Sequence, residues 1–430
     1  MNNSRTNLTL TSKILLAYII GLAFIPSQYV FNLFGLDLNF DRVLLLFLII
    51  LNGLLFLGKG NLNLTLITLL LLINLFFIVI NNLFIGQLQL MAVYTGFLLL
   101  VLTSKSIPSI IINRGINIAF IGFVFWVAYG LFYYLINDSH LVVIPFSSYI
   151  PFLAETKMEH AEYMSSFTIF PRLTFPFSTP PQLGTAAAFY FLWFLYSIKV
   201  KREIISKENF SFEYFGLISS FAMLTLSFSR SGFAVLIVGL IIMQLKLGVS
   251  LRGTSYLSKN GLILGAIFLF LIMSFLSLAY LPLIGDVFNR LFSVSGFTPE
   301  NVDNHLGIRI YGITYFLSLS IFEKVFGIGY LNYEFLHFHA SILTNLIETG
   351  LIGFVFFTSI LALPWLYGFP LLRSQNGLIR LSARYCMMVS VILFVAHLVY
   401  EQPYNQVLWL FWAHSLLLVR DIKNNNIAVN

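Results

Sequence analysis

The chain is 430 residues long, 59% hydrophobic and only 10% charged, with a formal net charge of +7, whereas soluble domains are about 45–50% apolar and about 25% charged. That balance excludes an ordinary soluble fold and points to an integral membrane protein, in which surplus Lys and Arg mark cytoplasmic loops rather than a nucleic-acid surface. The single cysteine, Cys386, excludes an intramolecular disulfide or a cysteine metal cluster, and seven scattered histidines offer no metal-ligand spacing.

Apolar runs of about 17 to 25 residues recur without a period of two, which predicts helices rather than a barrel. In chain order the spans fall at 13–33, 42–58, 62–81, 86–103, 115–136, 182–198, 211–228, 231–247, 260–281, 342–368, 383–399 and 405–419, twelve in all. The first run lacks a small-residue cleavage site and precedes further spans, so it reads as a span and not a cleaved leader. With the N-terminus inside, 17 of the 24 Lys and Arg fall on cytoplasmic segments. Seven remain outside: Arg42, Lys157, Arg172, Arg230, Arg290, Arg309 and Lys324. The positive-inside rule selects this orientation, with both termini cytoplasmic. Two outside loops are long, 137–181 and 282–341, and both are rich in aromatics and Pro rather than in the residues of disordered segments. With no repeat of fixed period, residues 1–430 read as one polytopic domain.

The outside segments carry most of the candidate chemistry. Arg172 lies in FPRLTFPFSTPPQLG just before a span, where a Pro-rich segment shapes a turn and its arginine can also meet a ligand. Arg230 sits in SFSRSGF, a short break between two apolar runs. An arginine there can snorkel to lipid phosphate. The flanking Ser227, Ser229, Ser231 and Gly232 also permit close approach, and the helix that follows offers backbone N–H groups to an anion. Arg309 opens an amphipathic helix, 309–322, too short to span and expected at the interface; it binds an anion or pairs with Asp303 or Glu300.

The stretch 327–353, GIGYLNYEFLHFHASILTNLIETGLIG, runs from polar and aromatic residues into an apolar helix. His337 and His339 are two apart and face opposite sides, so one site takes one of them. An imidazole beside clustered arginines stays unprotonated and suits a general base. Glu348 lies deeper in the span, where it orients a partner helix or pairs with an arginine. No GxxxxGK[ST], GxSxG or HExxH is present, and Gly327-Ile-Gly329 lacks the strand and helix of a dinucleotide fingerprint. Outside arginines with one histidine are what a pyrophosphoryl ligand and a hydroxyl nucleophile require.

These motifs resemble, in order over about residues 165–355, the O-antigen polymerase and O-antigen ligase superfamily of multi-spanning glycosyltransferases. RLTFPFSTPPQLG resembles its arginine-led loop, LSFSRSG its Ser-Arg motif, GIRIYGITYFL its second arginine and amphipathic helix, and FGIGY with HASILTNLIETGLIG its glycine turn and histidine-led span. Ala340 stands where the family usually has Asn, and Ile313 and Thr314 where it has an aromatic. The resemblance implies an all-α membrane fold of the GT-C type with a large extracytoplasmic loop in the bacterial inner membrane, and it selects His339 over His337. It implies a glycan donor and acceptor on undecaprenyl pyrophosphate, membrane lipid and a chain-length regulator as partners, and neither metal nor cofactor. Arg230 and Arg309, with Arg172 in support, would hold the pyrophosphate; His339 would be the base, and His337 and Glu348 would contact substrate. Polymerase is preferred to ligase because LTLSFSRSGF looks like the polymerase form of the motif. A transporter or flippase is the rival from another class, against which stand the one-sided charges and the lack of repeated halves.

Overall fold

The computed structural model describes residues 10–24, 30–33, 36–39, 109–137, 141–143, 157–159, 177, 179–204, 211–227, 229–244, 311–329, 340–399 and 406–423. The helices are α1 (Leu10–Phe24), α2 (Ser109–Asn137), α3 (Pro180–Ile204), α4 (Ser211–Leu226), α5 (Arg230–Gln244), α6 (311–318), α7 (Ile321–Phe326), α8 (Ser341–Gly368), α9 (Gly377–Val399) and α10 (Gln406–Lys423). A 3₁₀ turn, Phe369–Arg373, joins α8 to α9. Two antiparallel ribbons interrupt this helical set: β1 (Val30–Leu33) with β2 (Leu36–Asn39), and β3 (Leu141–Val143) with β4 (Lys157–Glu159).

Among the described residues, four helical segments are long and apolar enough to cross a membrane: Ser109–Phe132, Pro180–Glu203, Ser341–Arg373 and Gly377–Val399. Outward positions are apolar, with Ile218 at 70% and Phe132 at 63% exposure, while Ser220, Ser227, Ser390 and His414 are buried. That distribution inverts the soluble pattern and fits a bundle set in lipid. α3 is the hub, packed on α4 and α5 and reaching α9 and α10; α9 in turn packs on α5, α8 and α10. α3 begins Pro180-Pro181, where a missing N–H costs nothing, and Ala186, Ala187 and Ala188 then let neighbours approach closely.

Several polar groups inside the bundle find partners, as an apolar surrounding favours. Trp193 Nε1 donates to Asn117 Oδ1 at 3.0 Å, Tyr196 OH and Ser382 Oγ lie 3.1 Å apart, and Tyr385 OH meets His414 Nδ1 at 3.3 Å. The Tyr196 and Tyr385 rings stack with centroids 4.2 Å apart. Pro364 sits within α8 and cannot donate to the Ile360 carbonyl. Trp412 Nε1 donates there instead at 2.9 Å, so α10 completes the ladder of α8.

The ends of the bundle differ in charge. Ser109 N donates to Asp421 Oδ2 at 2.7 Å, Lys201 pairs with Glu213 at 2.9 Å, and Gly377 lies beside Glu203, so the starts of α2, α4 and α9 meet the ends of α3 and α10. Arg114, Lys199, Lys201, Arg202, Arg373, Arg380, Arg384 and Arg420 collect at this basic end. The start of α3, the α4–α5 turn and the end of α9 occupy the other end, together with the start of α8, which runs back along α9.

Several predicted boundaries move. The span expected over 13–33 is helical over Leu10–Phe24, and its last residues, Val30–Leu33, belong instead to an antiparallel ribbon with Leu36–Asn39. α9 starts at Gly377 rather than 383 and α3 runs on to Ile204, because basic side chains at helix ends snorkel without breaking the helix. Loop 137–181 contains β3 and β4. The spans 42–58, 62–81, 86–103 and 260–281 lie outside the described residues.

The Pro364–Trp412 pairing is testable. Trp412→Phe removes the donor from a buried carbonyl and is expected to cost about 1–3 kcal/mol. Pro364→Ala restores an intrahelical N–H, so the same change should cost less in that background, a non-additivity read from thermal unfolding of the four proteins in detergent.

Candidate functional site

The Ser-Arg motif forms the α4–α5 turn. Ser229 caps α5: its Oγ accepts from Gly232 N at 3.1 Å and lies 2.9 Å from Ser231 Oγ, while its carbonyl accepts from Phe233 N at 3.1 Å. Ser227 Oγ donates back to the Leu224 carbonyl at 2.7 Å, closing the end of α4. Arg230 is the first residue of α5, and its side chain is exposed while Ser227, Ser229 and Ser231 are buried.

The Pro-rich motif meets this turn. A Cβ on Gly184 would strike Ser227 and Ser229, and one on Gly232 would strike the backbone of Gly184, so the first turns of α3 and α5 touch backbone to backbone. Thr179, just before α3, keeps its Oγ1 buried without a hydrogen bond. The depth of the turn follows from its contacts. α4 runs back along α3 from the Lys201–Glu213 pair, and Ser227 and Ser229 meet Gly184, four residues inside α3, about 6 Å along the helix from Pro180. Arg230 is therefore recessed by about one turn below Pro180.

The glycine turn meets the histidine-led span in the same manner. α8 breaks at Gly350, with φ 67° and ψ −172°. The carbonyls of Ile347 and Glu348 receive Ile328 N at 3.1 Å and Gly329 N at 3.0 Å. Gly327 and Gly329 take φ of 85° and 71°, open to glycine, and a Cβ on Gly327 would collide with the Glu348 carbonyl. Thr349 Oγ1 donates to the Asn345 carbonyl at 2.7 Å, a back-bond that favours bending just before the break. α6 and α7 dock on this half of α8 through Tyr315, Phe316 and Leu319 against Leu343, Ile347 and Ile328. Ser320 and Glu323 form a capping box at the start of α7, and the Ser320 hydroxyl and backbone N–H hold the Glu323 carboxyl below its ordinary range.

Of the residues predicted from sequence, Arg230 and Glu348 are described, and Arg172, Arg309, His337 and His339 lie outside the described residues. Glu348 is half-buried, and its backbone carbonyl carries the Gly329 bond. Ala340, next to His339, is the N-cap of α8 and supplies no side-chain cap, so an Asn at that position would have a capping part to play. Helix directions put Ala340 at the same end of the bundle as Arg230. His397 was not among the predicted residues. It is fully buried near the same end, edge-on to Phe357 at 5.3 Å and beside Trp409 at 5.9 Å, and neither ring nitrogen has a hydrogen-bond partner among the described residues. Its signal in the sequence was a histidine in the last outer turn of a span. No protein-family model matches the chain, and no curated protein matches it.

Gly350→Ala places a side chain at positive φ and against the Val325 carbonyl, and Gly327→Ala does the same against Glu348. Each is expected to destabilise the protein by about 2 kcal/mol or more. Gly377→Ala, which meets only Glu203 at 3.7 Å, should be nearly neutral. Thermal unfolding of the three variants in one detergent makes the comparison.

Proposed function

We propose that this chain is a polymerase of surface polysaccharide, joining undecaprenyl-pyrophosphate-linked repeat units by glycosyl transfer at the outer face of a bacterial inner membrane. The observation that carries the reading is the pairing of motifs. The Pro-rich segment packs on the Ser-Arg turn, the glycine turn packs on the histidine-led span, and helix directions set both pairs at the end opposite the basic one. The charge asymmetry supports a topology of about twelve spans with both termini cytoplasmic and the Arg230 end outside.

In this reaction the acceptor hydroxyl oxygen attacks the anomeric carbon of the donor, and the bond from that carbon to the pyrophosphate oxygen breaks. His339 takes the hydroxyl proton. Arg230 and Arg309, with Arg172, hold the pyrophosphate as negative charge grows on it; Glu348 contacts substrate, and His337, on the opposite side from His339, contacts it away from the reacting hydroxyl. One in-line displacement inverts the anomeric centre. The basic groups act from the protein itself, so this scheme uses neither metal nor cofactor.

A second reading has an observation of its own. Discontinuous helices such as α8 occur at the binding sites of transporters, which favours a flippase for the same lipid-linked unit. Purified protein supplied with lipid-linked repeats in detergent, where no compartments exist, separates the two: elongation is expected for the polymerase, and none for the flippase. Arg230→Ala, Arg309→Ala and His339→Ala should each reduce polymer on a gel by about 10²-fold or more, and unchanged ladders in all three would sink the site assignment. In cells lacking the protein, lipid A core capped with a single repeat marks a polymerase, whereas bare core with accumulated lipid-linked polymer marks the ligase alternative.

A further inference from the structure

The basic end holds a cluster that the proposed transfer reaction does not use. Lys199 on α3 and Arg380 and Arg384 on α9 are all half-buried. The Tyr196–Ser382 contact at 3.1 Å and the approach of Gly377 to Glu203 lock the two helices together there. Arg380 and Arg384 are four apart on one face of α9, and Arg384 lies within electrostatic reach of both Lys199 and Arg380. Of the two carboxylates at this contact, Glu213 is taken by Lys201, and Glu203, exposed at the end of α3, makes no ion pair among the described residues. None of the three cations makes an ion pair among the described residues, and Arg384 Nε is buried without an acceptor.

Such an arrangement is unfavourable as it stands. Like charges repel, and the first turns of α9 add the positive end of a helix dipole to two arginines, with no acidic residue in its first turn. A guanidinium nitrogen shut away from water also needs an oxygen acceptor. An anion with several oxygens, placed between α3 and α9 at the level where the helices leave the apolar layer, removes all three costs. The cluster sits at the membrane-exit ends of two apolar helices, which favours an anion that itself lies at that level over one from bulk solution.

We propose that Lys199, Arg380 and Arg384 form a binding site for the phosphodiester headgroup of an anionic phospholipid in the leaflet at the basic end. The site stands independently of the glycosyl-transfer reading, since it depends only on the helices crossing a bilayer. Its phosphate contact is bidentate from Arg384 and reinforced by the other two charges. The lipid neutralises the α3–α9 contact and so stabilises the centre of the bundle.

The full chain in mild detergent tests this with three probes: phosphatidylglycerol, phosphatidylcholine and sodium phosphate. Native mass spectrometry is expected to retain one phosphatidylglycerol, and that lipid alone should raise the thermal midpoint. Because each basic residue near an anionic surface is worth roughly fivefold in affinity, Lys199→Gln should weaken binding about fivefold and the double change Arg380→Gln/Arg384→Gln at least about tenfold. Arg373→Gln, at an exposed residue of the 3₁₀ turn, should leave binding intact. Without added lipid the double variant should unfold no earlier than the wild type, because repulsion has been relieved. An equal midpoint shift from phosphatidylcholine, an equal loss from Arg373→Gln, or earlier unfolding of the lipid-free double variant would each overturn the proposal. A full shift from sodium phosphate alone would replace the lipid with a free phosphate and overturn the lipid assignment.

Discussion

A backbone carbonyl buried in an apolar bundle must have a donor, and the described part of this protein is shaped by meeting that demand wherever a helix cannot. At Gly350 the ladder of α8 is cut, and Ile328 and Gly329 supply the missing N–H groups from a different part of the chain. At Pro364 the donor is lost for a covalent reason, and Trp412 supplies it from α10. The break at Gly350 therefore fixes where α7 and the glycine turn sit, and the kink at Pro364 ties α8 to α10. Neither contact could slide by one residue without leaving a carbonyl unpaired. The irregular points of α8 are consequently its most tightly specified ones.

The same economy of space governs the Ser-Arg turn. Gly184 and Gly232 have no side chain to separate the first turns of α3 and α5, and the three serines fill the remaining gaps with hydroxyls bonded to each other or to helix ends. The Arg230 side chain, at the first position of α5, is exposed rather than folded into this contact. The serines and glycine around Arg230 thus have a packing explanation that also sets where its side chain begins. The position is determined by backbone contact, which tolerates less drift than a contact between flexible side chains.

Much of this was legible in the sequence. The helical class, the span from 342 to 368, the short turn at Arg230 and the glycine turn before the histidines follow from hydropathy, from breaks in it and from Gly placement. The break at Gly350 was not, because LIETGLIG is continuous in apolar character and glycine is common in membrane helices. Only a partner that occupies the space of a missing Cβ turns that glycine into a hinge point, and the partner is 23 residues away in sequence, at Gly327. The Gly184–Gly232 contact was hidden for the same reason. Hydropathy starts α9 at 383 because it reads Arg380 and Arg384 as loop charges, whereas in the fold both are helical and lie beside Lys199, a grouping of like charges that calls for an anion.

The depth of Arg230 bears on what kind of ligand it can serve. Ser227, Ser229 and Gly232 meet Gly184, the fifth residue of α3, so the α4–α5 turn lies inside the level at which α3 begins. A guanidinium held there is less well screened than one in a loop above the headgroups, so its attraction for a phosphate is stronger and its cost without one is higher. A nucleotide sugar arrives from water and would have to be drawn down to this depth. A pyrophosphate carried on a long isoprenoid already resides near it, with its sugar directed outward. The recessed turn, more than the motif alone, therefore favours a lipid-linked donor on the proposed reading, and it favours it equally for transfer and for transport, which is why only turnover without compartments divides those two.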